Sequence, residues 1–124
     1  MILLDSNIVI EILNNNHKIL STIQNWSPED VFISVVTKWE VLAGAPNKPN
    51  QNLYHKALNR YNIIHLDQQI SELTGILLQT YRLSHGLRIP DALIAATAVR
   101  NKLLLITLNT KDFQYIQGLS IQTA

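Results

Sequence analysis

Nine acidic residues are spread through 124 positions, and four of them stand where chemistry could use them. Asp5 ends the apolar run Ile2-Leu3-Leu4, Glu40 follows a second apolar run, Asp91 opens an alanine-rich segment, and Asp112 follows the apolar run 103–107. Carboxylates at the carboxyl ends of parallel strands converge on one crevice, where they can hold a hard divalent cation and activate water. The spacing therefore points to a metal-dependent hydrolase.

Each acid also has a purely structural use. Asp5-Ser6-Asn7 can cap a first helix, and Thr37-Lys38-Trp39-Glu40 has the form of a capping box, with Glu40 reaching back to a backbone amide. Asp91 beside Pro90 suits a first helical turn, where the positive end of the helix dipole favours a carboxylate, and Asn109-Thr110-Lys111-Asp112 can cap a last helix. Taken singly, none of the four is diagnostic. Capping alone leaves unexplained why three apolar runs are each followed by a carboxylate while the intervening helix begins with another. The four histidines, at 17, 55, 65 and 85, are scattered and form no helical His-Glu motif, so they are expected at the surface or in loops.

The elements that must position the acids follow from periodicity. Short β-branched or leucine runs at 2–4, 31–35, 62–66, 103–107 and 119–121 alternate with helical segments, the pattern of βα units and a parallel sheet. Helices are expected over 6–14 and 18–26, from near Thr37 to a stop at Gly44, Pro46 and Pro49, and over 51–61. A long one runs over 68–84 and closes at His85-Gly86, and another starts with Pro90 in its first turn and runs over 91–101. The fold class is α/β. With 47% hydrophobic residues, 124 residues suffice for a single domain, 1–124, with one core and no structural zinc or disulfide.

Cysteine is absent, which rules out a thiol nucleophile or thiolate metal site and fits a reducing compartment. The opening apolar run meets a charge after four residues and has no basic leader, and no run approaches the roughly 18 to 20 residues of a membrane span. A cytoplasmic protein with no membrane partner is expected. The net charge is only +1, so any nucleic-acid binding must come from a local basic patch. Lys38, Arg88 and Lys111 lie close in sequence to the acids, with Lys48, Lys56 and Arg82 further out. Trp39, one residue before Glu40, has the face to stack on a base, although packing against the sheet or a partner subunit is the commoner use of such a residue.

At this point four segments resemble, in order, the motifs of PIN-domain ribonucleases. They are Ile2-Leu3-Leu4-Asp5-Ser6-Asn7, the stretch from Ser34 to Gly44 containing Glu40, Ile89-Pro90-Asp91-Ala92-Leu93-Ile94-Ala95-Ala96-Thr97-Ala98, and Leu105-Ile106-Thr107-Leu108-Asn109-Thr110-Lys111-Asp112-Phe113. The length is similar to that of the small VapC-like toxins of type II toxin-antitoxin pairs. The resemblance implies a three-layer α/β/α domain with a four- or five-stranded parallel sheet. It also implies a metal-dependent endoribonuclease using Mg²⁺, with Mn²⁺ able to substitute. Asp5 and Asp91 then match the principal metal ligands, and Glu40 matches a third acid acting directly or through water.

The fourth position departs from the family's pattern. Where many relatives carry an acid two residues after the threonine this chain has Asn109, with Asp112 three residues on, so either can complete the catalytic set. The resemblance further implies an RNA substrate, with tRNA favoured over ribosomal or messenger RNA, a homodimer, and inhibition by a cognate VapB-like antitoxin whose arginine pairs with the carboxylates. Candidate apolar docking surfaces are the helical hairpin within 6–26 and the helix carrying Trp39, Val41 and Leu42. Two other readings are open: a PIN-like module that binds RNA or protein without cutting, and a receiver domain with Asp67 as phosphoacceptor and Thr107 and Lys111 as switch residues.

Overall fold

The apolar runs form five strands, β1 (Ile2–Leu4), β2 (Val31–Ser34), β3 (Asn62–Ile64), β4 (Leu104–Thr107) and β5 (Ile121–Thr123), in a computed structural model that describes residues 1–124. They pair throughout in parallel, in the order β3-β2-β1-β4-β5. Parallel neighbours need crossovers, and six helices supply those up to β4: α1 (Ser6–Leu13), α2 (His17–Ile23), α3 (Val35–Ala43), α4 (Lys48–Leu58), α5 (Gln68–His85) and α6 (Ile89–Arg100), while β4 reaches β5 through a loop.

Side chains alternate across the central strands, as the period of two demands. Leu3 and Leu105 face a core built with α5 and α6, including Ile70, Leu77 and Ile94. Ile2, Leu4 and Ile106 face the opposite core with Ile8 and Val9 of α1, Ile19 of α2 and Leu58 of α4. The expected three-layer α/β/α arrangement results. Helix α3 bridges the layers, sending Val35 and Val36 into the first core and Val41 into the second. Alanines 92, 95, 96 and 98 are fully buried along α6, and their small side chains suit a helix packed between the sheet and α5.

Several boundaries differ from the sequence expectation, each for a local reason. Strand β2 stops at Ser34 because the Ser34 hydroxyl accepts from the Val36 amide and caps α3, so that helix starts two residues before Thr37. Gly44 ends α3 as expected, but Pro49 lies in the first turn of α4, which Asn47 caps through the Asn50 amide. Strand β5 is pinned later than 119–121 because Leu105 stands opposite Ile121, while Leu119 packs on the core ahead of the strand. Helix α5 closes at Gly86, whose φ of 72° is the left-handed conformation that glycine adopts without a steric penalty.

The receiver reading fails on topology. Asp67 follows β3 at the edge of the sheet, two strands or roughly 10 Å from β1 by ordinary strand spacing. Its carboxylate caps α5, accepting from the Ile70 amide at 2.8 Å. The chain steps outward from β1 to β2 and β3, then returns to lay β4 on the other side of β1. That reversal opens a crevice beyond the carboxyl ends of β1 and β4, the place where open α/β sheets bind ligands.

Candidate active site at the sheet reversal

Asp5 follows the last residue of β1, and its backbone amide donates to Ile106 O of β4 at 2.9 Å, so the two strand ends are tied together beneath the crevice. Its carboxylate does two things at once. Oδ1 accepts from the Ser6 amide at 2.8 Å and caps α1, while Oδ2 accepts from the Thr107 hydroxyl at 2.8 Å across the strand reversal. Thr107, buried at the end of β4, also accepts from the Asn109 amide at 3.1 Å, and Leu108 N donates to Asn7 Oδ1 at 3.3 Å. These bonds join the start of α1 to the loop after β4.

Glu40 is the clearest correction to the capping-box reading. Because Ser34 caps α3, Thr37 lies inside the helix and Glu40 falls in its second turn, with no cap to serve. Glu40 Oε1 is buried without a hydrogen-bond partner, and so is Thr37 Oγ1. An unmet buried oxygen costs on the order of 1–3 kcal/mol, more when charged, and such an atom in a well-packed fold marks a place where something else is meant to bind.

Asp91 sits in the first turn of α6, as expected of an acid near the positive end of a helix dipole. Its Oδ2 accepts from Arg88 Nε at 3.5 Å, but the Arg88 side chain is 67% exposed, so the pair is long, solvent-screened and weak. Asp112 closes a three-residue tight turn, Thr110–Asp112, whose start at Asn109 lacks a side-chain cap, so the expected helix cap is reduced to a loop turn. Asn109 and Asp112 both line a polar recess of about 400 Å³ together with Asp91, Arg88 and Lys111. The fold thus brings both contenders for the fourth position to one place.

Electrostatics show that the acids share a field. Burial raises the Asp5 carboxyl above its ordinary value, the Thr107 and Ser6 hydrogen bonds oppose the rise, and the charge of Asp112 adds to it. Glu40 is raised by burial, then by Asp5 and Asp91, against the Ser6 hydroxyl and Arg88. Asp91 is raised by burial, held back by Arg88, and raised again by Asp5 and Asp112. Coupled carboxyls pushed up by burial and by one another are the state a bound cation relieves.

The donor set is hard oxygen, one oxygen is orphaned, and the repulsion is only partly offset by Arg88, so these residues fit a hard divalent ion. No three acids are drawn together closely enough to hold an ion by direct ligation alone. Ligation by one or two carboxylates with water between the ion and the rest is the mode this spacing leaves open.

Sequence reasoning missed the tying role of Asn7 and Thr107 and the hydroxyl of Ser6 between Asp5 and Glu40. The available signals were a polar residue directly after Asp5 and a threonine ending an otherwise apolar strand. The four histidines are exposed, as expected. Lys38 is half-buried, whereas Lys48, Lys56 and Arg82 are exposed and absent from the recess lining. Trp39 does not pack on the sheet: it is 54% exposed, while Val41 of the same helix is core.

An open parallel sheet with carboxylates gathered at its reversal places the chain among α/β proteins whose ligand site lies beyond the carboxyl ends of the strands. A PIN-domain family model matches residues 2–119. The sequence is 30% identical to ribonuclease VapC1 of Rickettsia felis, over 98% of this chain and 95% of that protein. Among solved structures, a toxin-antitoxin complex from Klebsiella pneumoniae contains a similar chain, with TM-score 0.81 and 36% identity, covering 96% of this chain and 95% of that one. VapBC-1 from nontypeable Haemophilus influenzae gives TM-score 0.80 and 29% identity, over 99% of this chain and 98% of that one. The chain belongs to the PIN-domain family and, within it, to the VapC ribonucleases. No helix is long and apolar enough to cross a membrane.

Proposed function

We propose that this endoribonuclease is the toxin of a toxin-antitoxin pair and cuts RNA phosphodiester bonds with Mg²⁺, or Mn²⁺ in its place, held by Asp5, Asp91 and Glu40. The observation that carries the reading is the buried, unpartnered Glu40 Oε1, on a carboxylate that caps nothing and feels the charges of Asp5 and Asp91. An ion bound there would supply stabilisation of the charge developing on the phosphate and activation of the attacking water.

The chain's own residues do the rest. Thr107 and Ser6 hold the Asp5 carboxylate in one orientation, Asp112 adds charge from the loop after β4, and the Asn109 side chain is available to orient water. Arg88 and Lys111 at the rim neutralise flanking phosphates of the RNA. Transfer RNA is the substrate favoured by the family resemblance, and the active unit is a homodimer in the cytoplasm.

The partner is a VapB-like antitoxin. Similar chains are found in toxin-antitoxin complexes from Klebsiella pneumoniae and Haemophilus influenzae. A crevice rich in carboxylates with one weak internal counter-charge invites an arginine from such a partner, which would compete with both metal and substrate.

The test measures metal-dependent cleavage of RNA together with heat stability. Mg²⁺ or Mn²⁺ is expected to switch on cleavage and raise the Tm of the wild-type chain, and to do both less for Asp5→Asn. Equal Tm shifts in the two proteins would remove Asp5 from the ligand set, and cleavage that survives chelation would sink the metal-dependent reading.

A further inference from the structure

The acids and their rim cations leave part of the recess unexplained. His85, the last residue of α5, and Tyr115, in the loop before β5, line the same recess as Asp91 and Asp112. Their rings stack with centroids 4.1 Å apart and planes 7° from parallel. Tyr81 meets both edge-on, at 5.8 Å from His85 and 5.2 Å from Tyr115, and is itself anchored because its hydroxyl accepts from the Gln117 amide at 3.2 Å.

Tyr115 rests against the core beneath it, whereas His85 is not part of the core. His85 is exposed and Tyr115 is half-buried, yet the histidine ring is held in place: one face lies on Tyr115, and Nδ1 shares a 2.7 Å hydrogen bond with Ser84 Oγ. Its other face has no aromatic partner. Burial raises the Tyr115 hydroxyl, and the charges of Asp91 and Asp112 raise it further, so the stack lies within the field of the acids.

We propose that the open face of His85, backed by Tyr115, is a stacking site for one unpaired nucleobase of the RNA, next to the phosphate that the acids engage. A ring fixed on one face and one edge loses little freedom on binding, so most of the stacking energy is available to hold substrate. Arg88 and Lys111 on the same recess would take the phosphates on either side of that base. Stacking is tolerant of base identity but needs the base splayed out of a helix, so the subsite selects single-stranded segments and loops over duplex RNA.

This inference rests on the ribonuclease reading, and its test is built to fail separately from it. In an Asp91→Asn background, binding of a short oligoadenylate carrying one fluorescent purine is compared for His85, His85→Ala and His85→Phe. His85→Ala should weaken binding about tenfold, the usual effect of losing one stacking partner. His85→Phe should restore it to within about threefold, since a phenyl ring keeps the face without the nitrogens. A strand made abasic at the nucleotide that quenches, read by competition against the fluorescent strand, should bind the histidine and alanine proteins alike.

In the chain with Asp91 intact, the same alanine substitution should raise KM and leave kcat nearly unchanged, the signature of lost uniform binding. The subsite is overturned if His85→Ala binds as tightly as its parent, if phenylalanine does not rescue, or if the abasic strand suffers the same loss. Weakened antitoxin binding with unchanged RNA binding would overturn it too, by assigning the stack to a protein partner. If the wild-type chain cuts no RNA while the binding pattern holds, the nuclease reading falls and the base site stands.

Discussion

The two ends of the sheet are built to opposite rules. Beyond the carboxyl ends of β1 and β4, carboxyls are buried or half-buried, mutually repelling and in one case orphaned, around a polar recess. Beyond the amino ends of β2 and β3, the chain leaves an apolar groove of about 560 Å³, lined by residues such as Leu13, Leu20, Ile23, Trp26, Val31 and Tyr61. Its apolar lining is of the kind that ordinary ligand pockets have. The acids gather at the other end, and with them the one carboxylate oxygen that the fold leaves buried and unpartnered, Glu40 Oε1, the kind of unmet polar group by which reactive sites are recognised.

If that contrast is sound, changes at the two ends should separate activity from stability. The largest expected effect is Asp91→Asn, which should lower metal-dependent RNA cleavage by at least about a hundredfold, the scale on which electrostatic catalytic groups act. Its stability should change little. The substitution gives up a weak, mostly solvated ion pair and a favourable dipole interaction but also removes a charge that burial disfavours. Cleavage near wild-type rate, measured on folded protein, would break the contrast at its polar end.

The reverse experiment belongs to the hairpin beside the groove. Ile19 of α2 is 3% exposed within the core of that face, and Ile19→Val removes a single methyl without adding a polar group. A loss of about 0.5–1.5 kcal/mol is expected, read as a lower unfolding midpoint in denaturant. Cleavage per folded molecule should not change. A fall in kcat as large as the one at Asp91 would mean that the two ends are coupled through the sheet rather than independent.

Most of the fold was legible in the sequence because the strands are short, apolar and separated by segments of helical period. The alternation of Ile2, Leu3 and Leu4 between two cores follows directly from that pattern. What stayed hidden was decided by single hydrogen bonds that compete locally. The sequence pointed to Thr37 as the cap, and only the Val36 amide's bond to Ser34 shows that an earlier hydroxyl takes that place and frees Glu40. Asp5 was legible both as a cap and as a site acid, and it is placed to be both, using one oxygen for each role. The link from Thr107 to Asp5 joins residues 102 positions apart, so no local pattern could reveal it.

The smallest expected effect is a dependence on pH that only the carboxyl end should show. In the metal-free chain the Asp5, Glu40 and Asp91 carboxyls are raised above their ordinary values of 3.8, 4.5 and 3.8. Between those values and the raised ones the folded chain binds more protons than the unfolded chain, so stability must fall as pH rises through that window. The fall is limited because hydrogen bonds from Thr107 and Ser6 and the charge of Arg88 oppose the effect of burial.

Tm measured in chelator from about pH 4 to pH 7 should therefore carry a downward component that shrinks in Glu40→Gln, which removes one titrating group. Adding Mg²⁺ should reverse the trend, because ionised carboxylates bind the cation and bound cation stabilises the folded state. Ile19→Val should lower the whole profile without changing its slope, since no acid lines the groove. Parallel profiles for the wild-type chain and Glu40→Gln would show that the raised carboxyl is not part of the strain at the carboxyl end, and the distinction between the two ends would then rest on Asp5 and Asp91 alone.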